Sequence, residues 1–448
     1  MESNQSSADE VMKNWEVNTD HLAYMHKKIL EPPRLLSNAA GRSSCCIFRV
    51  PGRMVEINGK SYQPHVVSIG PYHRGKPHLQ MIEEHKWSYL GSLLKRIGKK
   101  ELLLEDLMRA VQPLENKARE CFSETIQMST DEFVEMMVLD GCFVVELFRK
   151  VGKLIPFEPN DPIISMVWIL SFFHRDLLRL ENQIPFFVLE CIFDLSRMPE
   201  EESGPSLSRL ALEFFNNAMQ RSDADILNHE HLKGKHLLDM VRTSFIPSHM
   251  EEEVHNGGIP TPSHIIHSIS KLRSAGIKLN PMKAESFLIV RFRNGVIEMP
   301  TITVDDFMSS FLLNCVAYEQ CHKGCSKHFT SYSTLLDCLV NTNKDVEYLS
   351  DRNIIENYFG TDGEVARFIN NLGKDVAFDI DQCYLSKVFN GVNDYYQSSW
   401  HVQWAGFKNT YFRTPWSFIS ALAASILLLL SLAQTFYTIY PHYYRRKP

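Results

Sequence analysis

"SIGPYHRGKP", residues 68–77, decides between two folds. It runs Gly70, four residues, then Gly75-Lys76, one residue short of the phosphate-binding loop G-x-x-x-x-G-K-S/T. "HVVSI" (65–69) before it reads as a strand, and "HLQMIEEHKWSYLGSLLKRI" (78–97) after it reads as a helix. Strand, glycine loop and helix would open a nucleotide-binding α/β protein. The chemistry argues otherwise. Pro77 stands where a hydroxyl should ligate Mg²⁺, and Pro71 and Pro77 each remove an amide donor from a loop that cradles phosphate with amides. No parallel α/β pattern follows. The stretch is therefore read as a plain connection, with Arg74 and Lys76 solvated or paired with Glu83 and Glu84, and no nucleotide is expected.

Beyond that loop the pattern is helical as far as about residue 283. "STDEFVEMMVLDGCFVVELFRKVG" (129–152) opens with Ser129 and Glu132 at capping-box spacing, and its apolar residues surround the helix, which predicts a central core position. "DPIISMVWILSFFHRDLLRL" (161–180) has Asp161 as cap and Pro162 in the first turn, and "IPFFVLECIFDL" starts another helix at Pro185. "CCIFRVP" (45–51) predicts a short extended segment, and Asn58-Gly59 in "MVEINGKSYQP" predicts a hairpin. A second hairpin is predicted at Asn294-Gly295 in "SFLIVRFRNGVIEMPTITV". "TPSHIIHSISKLRSAG" reads as a short helix capped by Thr261. The expected class is mainly α: a large helical domain over 45–410 with short β-hairpin elements and an internal boundary near 247–263. A polar, loose segment, 1–44, precedes it, with one short helical patch near "DHLAYMHKKIL".

The 448 residues are 44% hydrophobic and 22% charged, the balance of a globular protein with a sizeable core. A net charge of −6 and the lack of a basic stripe with interleaved aromatics argue against nucleic acid as a partner. Several of the ten cysteines lie inside apolar runs and read as buried, reduced thiols. The N-terminus has no apolar h-region, and Asn4-Gln5-Ser6 is the one N-x-S/T sequon.

From Trp416 to Tyr440 no charged residue occurs in 25 positions. A helix of that length spans about 37 Å, more than the roughly 30 Å hydrocarbon core. Tyr411, Phe412 and Trp416 at one end, and Tyr437 and Tyr440 at the other, are the expected interface residues. The reading is a single-pass anchor over 416–440, the bilayer as a partner, and a short basic tail, 441–448.

"YQPHVVSIGPYHRGKPHLQMIEEHKWSYL" (62–90) resembles the signature of a plant family, the domain of unknown function 247 family. The likeness continues in order through "FVEMMVLDGCFVVELFRK", "RDLLRLENQIPFFVLE", "HLLDMVRTS", "SYSTLLDCLVNTNKDVEYL" and "VNDYYQSSWHVQWAGFKNTYFRTPW" to the terminal span, covering about 45–440. The resemblance implies a largely helical plant membrane protein, some relatives of which are implicated as pollen-side determinants of self-incompatibility in grasses. It brings no catalytic residue set.

The remaining constellations are weak. "CHKGCSKH" clusters Cys321, Cys325 and His328, soft ligands whose Cys-x₃-Cys-x₂-His spacing is not that of paired zinc knuckles. A polar turn is the expectation there, with no metal and no cofactor. Glu181, Asn182 and Gln183 of "LENQIP" lie between apolar helices, where side-chain amides satisfy helix-end backbone groups. No G-x-S-x-G elbow and no H-E-x-x-H occurs. His264 and His267 read as a surface pair, and Tyr396, Trp400 and Trp404 as one aromatic helix face. The expected function is a non-enzymatic interaction, signalling or recognition protein with an unidentified protein partner, held at the plasma membrane or an endomembrane. The alternative is an enzyme with a pocket near Glu181–Gln183 or Cys321–His328. Arg445, Arg446 and Lys447 after the span favour a cytosolic tail. Translocating some 410 residues without a signal is the harder step, so the bulk of the chain is expected in the cytosol.

Overall fold

Ser129 starts the helix around which the fold is built. In the computed structural model, which describes residues 18–30, 44–159, 161–248, 250, 266–378, 383–397 and 415–444, its hydroxyl accepts Glu132 N and the Glu132 carboxylate accepts Ser129 N at 2.9 Å. This reciprocal cap is the one the sequence predicts. The helix Thr130–Val151 then runs with nearly every residue from Phe133 to Lys150 buried, as an element apolar on all sides must. Gln80–Ile97, Leu104–Val111, Phe186–Leu195 and Leu207–Met219 pack around it.

A second enclosed helix, Asp306–Cys321, is capped by Asp305, whose Oδ1 accepts Met308 N at 2.7 Å. It packs on His328–Leu339, Asp362–Leu372 and Leu237–Thr243, and on Val167–Asp176 from the first half. One continuous core joins the halves, from Cys45 to Val392. The sequence boundary at 247–263 lies mostly outside the described residues, as do Thr261, Pro262, His264, Trp400 and Trp404; the helix expected after it runs Ile269–Ser274.

The β content is small and lies around the later of the two expected regions, with one further strand near 355. β1 (Lys278–Met282), β2 (Arg291–Arg293) and β3 (Val296–Pro300) form a sheet of order β1-β3-β2, with β1 parallel and β2 antiparallel to β3. β4 (Ile302–Val304) pairs in parallel with β5 (Ile355–Asn357). The Asn294-Gly295 hairpin is present: Arg293 pairs with Val296, and φ is 50° and 78° at the two turn residues.

Two early readings near the N-terminal part of the domain are corrected. "HVVSI" is no strand, because its amides donate to side chains instead of a neighbouring strand. "CCIFRVP", read as a short strand or extended segment, is non-helical and makes one bridge, Ile47 to Phe122. Asn58-Gly59 is no hairpin turn: it joins the helix Gly52–Asn58 to a 3-10 turn, with Gly59 at φ −51°. The segment after Asp161 is also split, into Pro162–Ser165 and Val167–Asp176, with Met166 out of helical geometry.

The last helix is Pro415–Tyr444. Its apolar stretch Ile419–Thr438 is long enough to cross a bilayer, and none of it is buried against the protein. The early helical patch, Thr19–Leu30, is likewise exposed throughout.

Candidate functional site

The loop that opened the sequence reading and the "LENQIP" turn meet in one buried polar cluster. Residues 66–70 are buried and outside any helix or sheet, so their amides need acceptors from elsewhere. Asp176, at the end of Val167–Asp176 and fully buried, takes three: His65 N, Val66 N (2.7 Å) and Val67 N (3.1 Å). It also receives Arg179 Nε at 3.0 Å. Burial alone would raise its pKa. The His65 contact, the Arg179 charge and the amide donors outweigh burial and hold it below the ordinary carboxylate range. Asn182 Oδ1 accepts Ile69 N at 2.7 Å, and its Nδ2 donates to Val67 O and Asp176 O.

Asp140, from the central helix, accepts Gly70 N at 2.8 Å through one oxygen and Lys86 Nζ at 2.6 Å through the other. Lys86 also donates to Ser68 O and Glu83. Gly70 adopts φ 76°, and a Cβ there would lie 2.4 Å from Gln183 O, so backbone approaches backbone where no side chain fits. Glu181 accepts Val50 N at 2.8 Å and Arg49 Nη1 at 3.0 Å, with His73 Nε2 at 3.2 Å. Gln183 Nε2 donates to Leu177 O and Arg179 O, and its Oε1 accepts Leu238 N. The structural role read for the "LENQIP" amides is the one they fill.

Arg74 and Lys76 do not pair with Glu83 and Glu84. Arg74 meets Glu135 at 3.3 Å and Lys76 Nζ donates to His73 Nδ1 at 2.8 Å. Glu83 is taken by Lys86, three residues along its own helix.

The "CHKGCSKH" residues diverge. Cys321 Sγ faces Arg49 O at 3.9 Å, and Cys325 Sγ donates to His322 O at 3.2 Å. His328 turns away to pack on Tyr384, 4.7 Å between ring centroids, and neither ring nitrogen has a hydrogen-bond partner among the described residues. Burial pushes Cys321 up to about 12, Cys325 up to about 11 and His328 down to about 3. Among the described residues no group of three or more His, Cys, Asp or Glu side chains is arranged to hold a metal. His267 is exposed and packs on Tyr396 at 4.6 Å, while His264, its expected surface partner, lies outside the described residues.

A cleft of about 880 Å³ lies elsewhere. Phe245, Phe287 and Phe307 line it, with Asp225, Glu285, Asp305 and Glu356, while Arg221 stacks over Phe245 at 4.5 Å. None of the six residues singled out at 181–183 and 321–328 reaches it. Sequence reading missed this cleft because β4–β5 pairing and the cap of Asp306–Cys321 bring together Asp305 and Glu356, 51 positions apart. No local motif marks them.

Of the interface residues, Tyr411 and Phe412 lie outside the described residues. Trp416, Tyr437 and Tyr440 lie on the terminal helix, with the Trp416 and Tyr437 rings exposed near its two ends.

The family described as a plant protein of unknown function, DUF247, matches residues 47–430. UPF0481 protein At3g47200 of Arabidopsis thaliana is 40% identical over 423 residues, covering 90% of this chain and 88% of the relative. Putative UPF0481 protein At3g02645, also of Arabidopsis thaliana, is 24% identical, with 89% and 91% covered. No solved structure matches the chain significantly.

Proposed function

The chain belongs to the DUF247 family of plant proteins, and we propose that it is a membrane-anchored interaction protein acting through protein contacts rather than through catalysis. The observation that carries the anchor is Ile419–Thr438, an apolar helix of bilayer length left entirely unburied by the folded body. The non-catalytic part is supported by the fate of the charged candidates. Asp176, Asp140, Glu181, Lys86 and Arg179 are all engaged in holding backbone, leaving no convergent acid, base and nucleophile among them. The body faces the cytosol and the tail lies across the membrane. The membrane anchor and the family resemblance together support a signalling or recognition role.

Extraction of membranes at alkaline pH tests the anchor: the full chain should stay in the pellet, and a chain lacking 415–444 should move to the supernatant. Equal release of both would sink the reading. Proximity labelling at native abundance then tests for protein neighbours. A second reading rests on the 880 Å³ cleft, whose volume is that of a small-molecule site. Under it, Glu356→Gln would weaken binding of a ligand without altering membrane retention.

A further inference from the structure

Cys46 and Cys121 stand 75 positions apart in the chain and side by side in the fold. Cys46 N and Ile47 N both donate to Cys121 O, at 2.9 and 2.8 Å, and Ser123 N donates to Ile47 O at 2.9 Å. With the parallel Ile47–Phe122 bridge, these bonds set 46 opposite 121 and 47 opposite 122. Neighbouring strands lie about 4.8 Å apart, which is within the roughly 4.4–6.8 Å between Cα atoms that a disulfide spans. Opposite positions of a parallel bridge put the two side chains on the same face. Cys121 S–H donates to Lys117 O at 3.4 Å. Both are buried.

We infer that Cys46 and Cys121 are a disulfide-forming pair, a site of covalent modification by a low-molecular-weight disulfide. The surroundings assign the roles. The neighbouring Cys46 thiol, opposed by burial and helped by the Lys117 and Lys235 charges, draws the Cys121 thiol below its ordinary range. Burial pushes the adjacent Cys45 up to about 11 and Cys321 up to about 12. Cys121 is therefore the attacking thiolate and Cys46 the resolving thiol. Cys121 S⁻ attacks R–S–S–R, forming Cys121–S–S–R and releasing RS⁻, which takes a proton. Cys46, losing its proton, attacks Cys121 Sγ and expels the second RS⁻, which is protonated in turn. Two protein thiols are oxidised, and one small disulfide is reduced to two thiols.

The bond would tie the 44–50 segment to the Glu115–Glu120 helix. That segment carries Arg49, which reaches Glu124 at 3.1 Å and Glu181 at 3.0 Å, so the modification locks the edge of the polar cluster.

The test is time-resolved peptide mapping without reduction, on the full chain in detergent micelles treated with glutathione disulfide and then alkylated. A Cys46–Cys121 linked peptide should become the main intramolecular species. Cys46→Ser should trap a glutathione adduct on Cys121, Cys121→Ser should leave Cys46 alkylated, and Cys338→Ser should leave the link intact. The inference is overturned if Cys46 and Cys121 both stay alkylated while other cysteines react, or if Cys45 or Cys321 supplies the main partner. The parent-chain map decides this even where a serine variant fails to fold.

Discussion

Asp176→Ala should be among the most damaging single changes in this protein. The side chain is fully buried and is the acceptor for the amides of His65, Val66 and Val67. Removing it also leaves Arg179, itself buried, without its carboxylate; among the described residues the guanidinium keeps Lys60 O at 2.9 Å and the His65 ring. Breaking a buried pair by deleting one partner costs about 3–5 kcal/mol. Each orphaned buried amide adds about 1–3 kcal/mol, less than additively because a loosened loop admits water. About 4 kcal/mol is therefore a floor, against a typical total of about 5–15 kcal/mol. At roughly 2 °C per kcal/mol for a chain of this size, the melting temperature falls by about 8 °C or more. Asp176→Asn keeps an acceptor oxygen and should lose about half as much. The carboxylate is held below its ordinary pKa, so its contribution is complete above about pH 4, the unfolded value, and is lost as pH falls through the folded value. The gap between parent and Asp176→Ala should therefore close in acid. The assay is thermal unfolding of the full chain in micelles, followed by tryptophan fluorescence from pH 7 down to 3. An alanine variant melting within about 2 °C of the parent at pH 7 would refute the reasoning.

Gly295→Val should cost about 2 kcal/mol or more, since φ is 78° and the new Cβ would lie 2.6 Å from Tyr395 Cζ. Adding Tyr395→Ala should return part of the loss, and strictly additive melting shifts would remove the contact from the explanation. His328→Phe should be near neutral at pH 7, because neither ring nitrogen has a hydrogen-bond partner among the described residues. Burial holds the folded imidazole near 3, so the unfolded chain binds the proton first, and stability falls as pH drops from about 6.5 towards that value. The phenylalanine variant should lose stability less steeply between pH 6.5 and 4, and an unchanged acid slope would count against it. Protease treatment of sealed vesicles should digest an N-terminal tag and spare a C-terminal one; the reverse pattern would place the body outside the cytosol.

What could be read from the sequence was local and strong. Ser129 with Glu132, Pro185, and Asn294-Gly295 each do what their residue types dictate over a few positions. The terminal span is equally plain, because 25 uncharged residues need no tertiary context. The failures share a cause. "HVVSI" has strand composition, but its amides are claimed by Asp176 and Asn182, residues 109 to 113 positions away. Asn58-Gly59 has hairpin composition, yet no partner strand draws it from the helix it ends. The pairing of β4 with β5 joins segments 53 residues apart, and the cleft beside it inherits that distance.

The same physics explains why charged residues near a glycine loop suggested chemistry. A buried stretch in neither helix nor sheet must find acceptors for its amides, and water is not there to serve. Carboxylates are the strongest acceptors available, and each one buried calls for a cation of its own. Asp176 brings Arg179, Asp140 brings Lys86, and Glu181 brings Arg49. The ionic interior thus follows from enclosing residues 66–70 and the amide of Val50. Substitutions in that cluster report on folding. Changes that leave folding intact and alter what the protein binds should instead fall on exposed features, where the Glu356 side of the cleft and the terminal helix remain uncommitted to the core.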